Sequence, residues 1–377
     1  MRKSFKYRLY PTKVQAAAMS ETVETHRTLY NRALAERKVA YETQKRTVRY
    51  AEQSAHLKED RPANDYLART NFSSCQATLR RLDKAFVAFF RRIASGGKPG
   101  YPRFRGRGRY NTVEFPSYGD GCKLKENRVY FQHIGTVKIK MHRPIEGTIK
   151  TVSFTESAGH WFVVFSCELP DSMLPPSTNP AIGIDLGLKS FLTTSDGEQV
   201  APPQFYRKAQ AKLRRVQRHL SRCQKGSNRR RKARMRVARL HQHVGNQRRD
   251  WHHKTALALV NRYGVIAHES LNVKGIARTR LAKSTHDAGW TQFVGILGHK
   301  AAEAGVAMIA VNPRNTTQAC SDCGCLPAVP LTLRDRVYHC ASCGHVADRD
   351  VNAATNIRTI GLGLSLRTLT PAVVEVV

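Results

Sequence analysis

Residues 181–194 read AIGIDLGLKSFLTT. This is an apolar strand with a single acid inside it: Asp185 sits between Ile184 and Leu186, and Gly187 follows where a backbone or a ligand must come close. A carboxylate in such a run is costly to desolvate unless a partner meets it, whether backbone, an arginine or a cation. Downstream the pattern continues as hairpin, long basic helices, strand, helix, strand, cysteine module and helix, an α/β order. Upstream, PDSMLPPSTNP at 170–180 is a proline-rich linker and the clearest boundary in the chain.

Before that boundary the pattern is different. Short strands, VYFQ, GTVKIKMH, IKTVSFT and HWFVVFSCEL, fill 112–169 and suggest a small barrel or sandwich. The first strand, SFKYRLYPT, alternates Phe5, Tyr7 and Leu9 with Lys6 and Arg8, and is expected to complete that barrel across a helical insertion. In the insertion, SCQATLRRLDKAFVAFFRRI sets Leu79, Leu82, Phe86 and Phe89/Phe90 at helical spacing, with Arg80, Arg81, Lys84, Arg91 and Arg92 largely elsewhere. GGKPGYPRFRGRGRY then breaks the helix.

The 377 residues suffice for two or three domains, and 41% hydrophobic content is ordinary for a globular core. The charge is not ordinary: 63 Lys+Arg against 28 Asp+Glu give a formal net charge of +35. Such a surplus is the footprint of a polyanion, with nucleic acid the leading partner. Apolar runs such as WFVVF and VAMIAV fall far short of the ~20 residues of a membrane span, and no signal segment opens the chain, so a cytosolic protein without a membrane partner is expected. From Arg207 to Arg249 there are 17 Lys+Arg and no acid, a self-repelling helical run unless a polyanion covers it.

Against that background three acids stand out. Glu269, in GVIAHESLNVKG, lies at the carboxyl end of a strand over Val265–Ala267, where open α/β sheets place their ligands. In DRDVNAATNIRTI, Asp348 is placed to cap a helix, while Asp350 shares a face with Ala353, Ala354 and Ile357. Two alanines let that helix approach the sheet, so Asp350 rather than Asp348 should meet Asp185 and Glu269. Such a trio suits a phosphodiesterase using two Mg²⁺ ions ~4 Å apart; Mn²⁺ is an acceptable substitute.

Nine cysteines include two Cys-x-x-Cys pairs, Cys320/Cys323 and Cys340/Cys343, with 16 residues between them. In a reducing compartment this spacing fits one structural, four-thiolate zinc with no open position for catalysis. Cys325 is a candidate substitute ligand; Cys75, Cys122, Cys167 and Cys223 read as buried or incidental thiols.

Together RLYPT, YNRAL, GYPRFR, GIDLGLKSFLTT, ESLNVKG, DAGWTQF, NPRNTTQACSDCG and CASCGHVADRDVNAATNI resemble the TnpB family, RNA-guided endonucleases of bacterial and archaeal insertion sequences related to the type V CRISPR nucleases. The resemblance implies an α+β multidomain chain. A wedge-type β-barrel (1–11 and 95–170) is interrupted by a helical recognition domain (12–94), and a linker (171–179) leads on. An RNase H-like, RuvC-type nuclease (180–312 and 348–364) then carries a zinc-ribbon insert (313–347), before a tail (365–377) that is a candidate for disorder. It implies that Asp185, Glu269 and Asp350 are the catalytic acids. It further implies a guide RNA from the transposon end, double-stranded target DNA beside a short adjacent motif, one chain per RNA, and a role in retaining the element. Asn71, Phe72 and Gln76 are candidates for reading that motif, or ordinary helix-surface residues. Arg80, Arg103, Arg105, Arg214, Arg215, Arg218, Arg229, Arg230 and Arg231 are expected on nucleic acid. A strand-joining transposase of the same fold and a non-cleaving RNA-guided repressor are the competing readings.

Overall fold

The computed structural model describes residues 2–170, 177–332 and 334–363. The expected tail at 365–377 and most of the linker lie outside these residues. The chain divides into two compact units, Met1–Asp171 and Ser172–Val377.

In the first unit, β1 (Arg2–Tyr10) is followed by α1 (Lys13–Gln44), α2 (Tyr50–Asp60), α3 (Asp65–Ala68) and α4 (Phe72–Ala94). Six strands complete it: β2 (Thr112–Phe115), β3 (Cys122–Lys125), β4 (Arg128–Phe131), β5 (Gly135–Lys140), β6 (Thr148–Ser157) and β7 (His160–Glu168). The alternation of β1 buries Phe5, Tyr7 and Leu9 on one face, as its period-2 pattern requires. Its role differs from the expected closing strand. The antiparallel sheet runs β2-β6-β7-β1-β5-β4-β3, so β1 is central, pairing Phe5 with Phe165 of β7 and Leu9 with Ile139 of β5.

The sheet is a half-barrel, because its edge strands β2 and β3 do not pair with each other. The N-terminus of α4 is tied in beside this opening. Asn71 Nδ2 donates to Asp120 Oδ1 (3.0 Å), in the turn between the two edges, and to Gln132 Oε1 (2.9 Å). Both edges are only four residues long, leaving few backbone groups for a closing ladder.

The second unit is built on β8 (Ala181–Asp185), β9 (Leu192–Thr194) and β10 (Gln199–Val200), then α5 (Phe205–Arg222) and α6 (Asn228–Arg262). It continues through β11 (Val265–Glu269), α7 (Val273–Ile276), α8 (Ala282–Ala288), α9 (Trp290–Glu303) and β12 (Ala307–Val311). A small hairpin, β13 (Val337–His339) and β14 (Val346–Asp348), leads into α10 (Arg349–Gly361). The sheet order is β10-β9-β8-β11-β12, with β8, β11 and β12 parallel and β9 and β10 antiparallel.

The two faces of this sheet are covered differently. Ile182, Ile184 and Ile266 join the larger core with Leu259 and Val260 of α6 and Phe293 and Leu297 of α9. On the other face lies α10, whose Ala353 and Ala354 are fully buried. A Cβ at Gly183 would overlap the Ala354 carbonyl oxygen, and one at Gly361 would stand 2.5 Å from Ala267 Cβ. Small residues on both partners therefore set the helix directly on the strands.

Candidate active site

Strand period decides which side chains face α10. Gly183 and Asp185 alternate with Ile182 and Ile184, and Ala267 and Glu269 alternate with Ile266 and His268. The register pairs Ile184 with His268, so the next residues, Asp185 and Glu269, end adjacent parallel strands on the α10 face. The helix brings Asp350 in its first turn. Asp348 is the N-cap, its Oδ1 accepting from the amides of Asp350 (2.9 Å) and Val351 (3.3 Å).

Asp185 feels the other two acids. Burial pushes the Asp185 carboxyl up to about 7, the charges of Glu269 and Asp350 push the same way, and the Arg349 guanidinium opposes them. Burial also raises Glu269, offset in part by the Thr316 hydroxyl, which donates to Glu269 Oε1. Arg349 lies against Asp350, Nη2 to Oδ1 at 3.2 Å, while its Nη1 donates to the Thr332 carbonyl (2.9 Å). Its Nε is buried without a partner. The protein thus places a cation of its own beside a repelling carboxylate group, which marks the position as one that favours added positive charge.

Among the described residues, one group of metal-ligand side chains has all its donor atoms within 4.8 Å: Cys320, Cys323, Cys340 and Cys343. Cys325 is not in it. Two matching turns build this cluster. Gly324 N–H donates to Cys320 O (2.9 Å) and Gly344 N–H to Cys340 O (3.0 Å). Each glycine holds positive φ, +78° and +75°, which favours residues without a Cβ. The Cys340 thiol is raised by burial, but amides of Cys343 and Ser342 outweigh that and bring it down to about 7. Four converging sulfurs, with Cys340 brought down by its amides, fit a structural, four-coordinate zinc.

Cluster and acids are fastened together by two fully buried asparagines of α10. Asn352 accepts from Ser321 N (2.8 Å) and donates to Ala319 O (2.8 Å). Asn356 Nδ2 donates to the carbonyls of Ala319 (2.7 Å) and Thr316 (2.9 Å). The segment that carries both Thr316 and Cys320 is thereby docked on the helix that carries Asp350. Sequence reasoning missed Thr316, Arg349 and both asparagines; the only available signal was two asparagines on the apolar face of a short helix.

The expected nucleic-acid residues fall into two kinds. Arg214, Arg215 and Arg218 on α5 and Arg229 and Arg231 on α6 are exposed. Arg230 instead caps α5, donating to Leu220 O (3.1 Å) and Cys223 O (2.8 Å). The other end of α5 is held by buried Asp287, whose carboxylate accepts from the amides of Tyr206 (2.8 Å) and Arg207 (3.1 Å). In the first unit Arg80, Arg103 and Arg105 are exposed, whereas Gln76 donates to Ser54 Oγ (3.0 Å). Phe72 packs on the core beneath Arg61, and Asn71 is a buried N-cap accepting from Ser74 N (2.8 Å).

Comparison with known proteins gives three family matches: "Probable transposase" over residues 164–280, "Cas12f1-like, TNB domain" over 290–357 and "Helix-turn-helix domain" over 1–46. The last description does not fit the described fold of its segment, which is one strand and one long helix, β1 and α1. A Streptomyces pristinaespiralis protein described as "Putative RNA-guided DNA endonuclease" is 34% identical over 97% of this chain and 90% of its own. An Escherichia coli K12 protein of the same description, InsQ, is 30% identical over 95% and 92%. A solved structure, "the mini-RNA-guided endonuclease CRISPR-Cas_phi3", shares the fold with a TM-score of 0.51 at 8% identity, covering 98% of this chain and 93% of that one. No helix among the described residues is long and apolar enough to cross a membrane.

Proposed function

The chain belongs to the TnpB (IS605 OrfB) family, and we propose that it is an RNA-guided, divalent-metal-dependent DNA endonuclease whose catalytic acids are Asp185, Glu269 and Asp350. The observation that carries this reading is the register of β8 and β11. It sets two carboxylates side by side on the face where α10 delivers a third. The sheet order, with an antiparallel hairpin joined to parallel strands, is the arrangement expected of an RNase H-like nuclease, here assigned to 180–312 and 348–364 with the cysteine insert at 313–347.

Asp185, Glu269 and Asp350 would hold two Mg²⁺ or Mn²⁺ ions. Bound there, such ions supply Lewis acidity and a water acidic enough to act as nucleophile near neutral pH. The rest is the work of the chain's own residues. Thr316 orients the Glu269 carboxylate, Asp348 fixes the first turn from which Asp350 projects, and Arg349 shields Asp350 until another cation takes its place. The exposed arginines of α5 and α6 grip phosphates without reading sequence. A guide made from the transposon end would supply the sequence readout, and cutting beside an adjacent motif would favour retention of the element.

The test is to purify the protein from cells carrying its transposon end, sequence the RNA that accompanies it, and offer matching plasmid with Mg²⁺ or with EDTA. A transposon-end RNA and metal-dependent linear product are expected. Free 3′ ends joined to target DNA would replace this reading with strand transfer, and bound RNA with intact plasmid would replace it with a repressor.

A further inference from the structure

The fully buried residues of helix α4 all lie in its first half, and its second half grades from half-buried to exposed. Its fully covered residues, among them Cys75, Leu79 and Leu82, end at Leu82. Beyond them the apolar spacing continues into solvent: Val87 is 60% exposed, Phe90 57% and Ile93 49%, and the following loop adds Tyr101 at 45% and Phe104 at 54%. Single exposed apolar side chains are ordinary, but touching rings such as Phe86, Phe89, Phe90 and Tyr101, open to solvent at Phe90 and Tyr101, mark an interaction surface.

The rings are organised among themselves. Tyr101 stands edge-on to both Phe86 (5.6 Å, 87°) and Phe89 (5.3 Å, 81°), and Phe90 meets Phe89 edge-on at 5.1 Å. Buried Arg37, held by Asp83 (3.0 Å) and Gln53 (2.9 Å), lies 5.1 Å from the Phe86 centroid and steadies the base of the group. Such preorganised rings offer flat apolar faces at little cost in side-chain entropy.

Charge identifies the occupant. From Lys84 to Val113 there are eight Lys+Arg and no Asp or Glu. A second copy of this chain would bring a like-charged segment against this one, including Lys84, Arg91 and Arg92 of α4 itself, so self-association through this surface is opposed. Rings interleaved with cations suit a strand whose bases stack while its phosphates meet arginine. Duplex DNA keeps its base faces covered, whereas folded RNA presents splayed bases in loops and single strands.

We propose that the second half of α4, with Tyr101, is a stacking platform for unpaired bases of a bound RNA. The inference rests on the RNA-guided reading above and adds a base-contacting surface to it. Stacking is worth about 1–3 kcal/mol per base, so losing one ring should weaken binding about tenfold without changing the salt dependence, which counts phosphate contacts.

The experiment compares a short uridine oligomer with an abasic ribose-phosphate oligomer of equal length, binding to the full chain over a range of salt. The wild type should prefer the base-bearing oligomer by about tenfold, and Phe90→Leu, a change at an exposed site, should erase that preference with the salt slope unchanged. Equal binding of the two oligomers by wild type overturns the proposal, as does a preference that survives both Phe90→Leu and Tyr101→Leu. Tighter binding of the matching single-stranded DNA overturns the choice of RNA, and self-association abolished by Phe90→Asp assigns the surface to a second copy. Guided cleavage by Phe90→Leu with unchanged RNA affinity removes this inference alone; a wild type that binds no RNA removes the reading beneath it.

Discussion

Two sets of side chains in the second unit, the four cysteines that fit a structural zinc and the three acids proposed to hold divalent ions, are built in opposite ways. The four sulfurs already converge within 4.8 Å, held by paired turns whose glycines and amides leave little freedom. The three carboxylates do not form a group of that tightness among the described residues; the charges of Glu269 and Asp350 push on Asp185, and an arginine lies against Asp350. A structural metal site can be closed because nothing needs to enter it. A hydrolytic site needs open positions for water and phosphate, so its ligands are set on separate elements and left short of charge compensation.

The contrast is open to challenge at several points. The largest effect should follow zinc removal. Cys340→Ser, or a strong chelator, should unfold the insert and release Thr316 from Glu269, read as lost thermal stability and lost native zinc by mass spectrometry under non-denaturing conditions. A folded, zinc-free wild type would break the comparison on its thiol side. Next, Arg349→Gln keeps hydrogen-bonding groups toward Thr332 but removes the competing charge. Mn²⁺ titration by calorimetry should show binding tighter by about tenfold, the equivalent of ~1.4 kcal/mol, while Arg349→Lys stays close to wild type.

A third effect concerns pH. Asp185 is raised from 3.8 to about 7 in the folded protein. Between those values the native state keeps a proton that the unfolded chain has released, so the contribution of Asp185 to the stability of the metal-free protein falls as pH rises through this window, by at most ~1.4 kcal/mol per pH unit. Asp185→Asn should flatten that fall, as seen by chemical denaturation in EDTA. The smallest effect is expected at Asp348→Ala, about 1 kcal/mol of helix stability from loss of the cap, with cleavage retained. A folded Asp348→Ala protein that cannot cut would show that the cap, not Asp350, belongs to the chemistry.

What the sequence made legible was local or periodic. Asp185 between Ile184 and Leu186 already fixed its face, the helical spacing from Asp350 through Ala353, Ala354 and Ile357 showed which aspartate points at the sheet, and the cysteine pairs fixed their own cluster. What escaped depends on contacts across long separations. Asn71 reads as any polar residue before a helix, yet its partners are Asp120 and Gln132, residues 49 and 61 positions away. Asp287 caps a helix that starts 82 residues earlier. The half-barrel was expected as a barrel because strand number is visible in a sequence and edge pairing is not. That Arg230 also caps α5 could not be read from composition, which does not show a contact to the carbonyls of Leu220 and Cys223.

The central claim is that three carboxylates, delivered by two strands and one helix, cut DNA under the direction of a bound RNA. The most direct measurement compares wild type with Asp350→Ala, each purified with its RNA, on matching supercoiled plasmid in Mg²⁺. The account predicts linear product from the wild type and none from Asp350→Ala, with equal RNA retained by both. Undiminished cleavage by Asp350→Ala would contradict it.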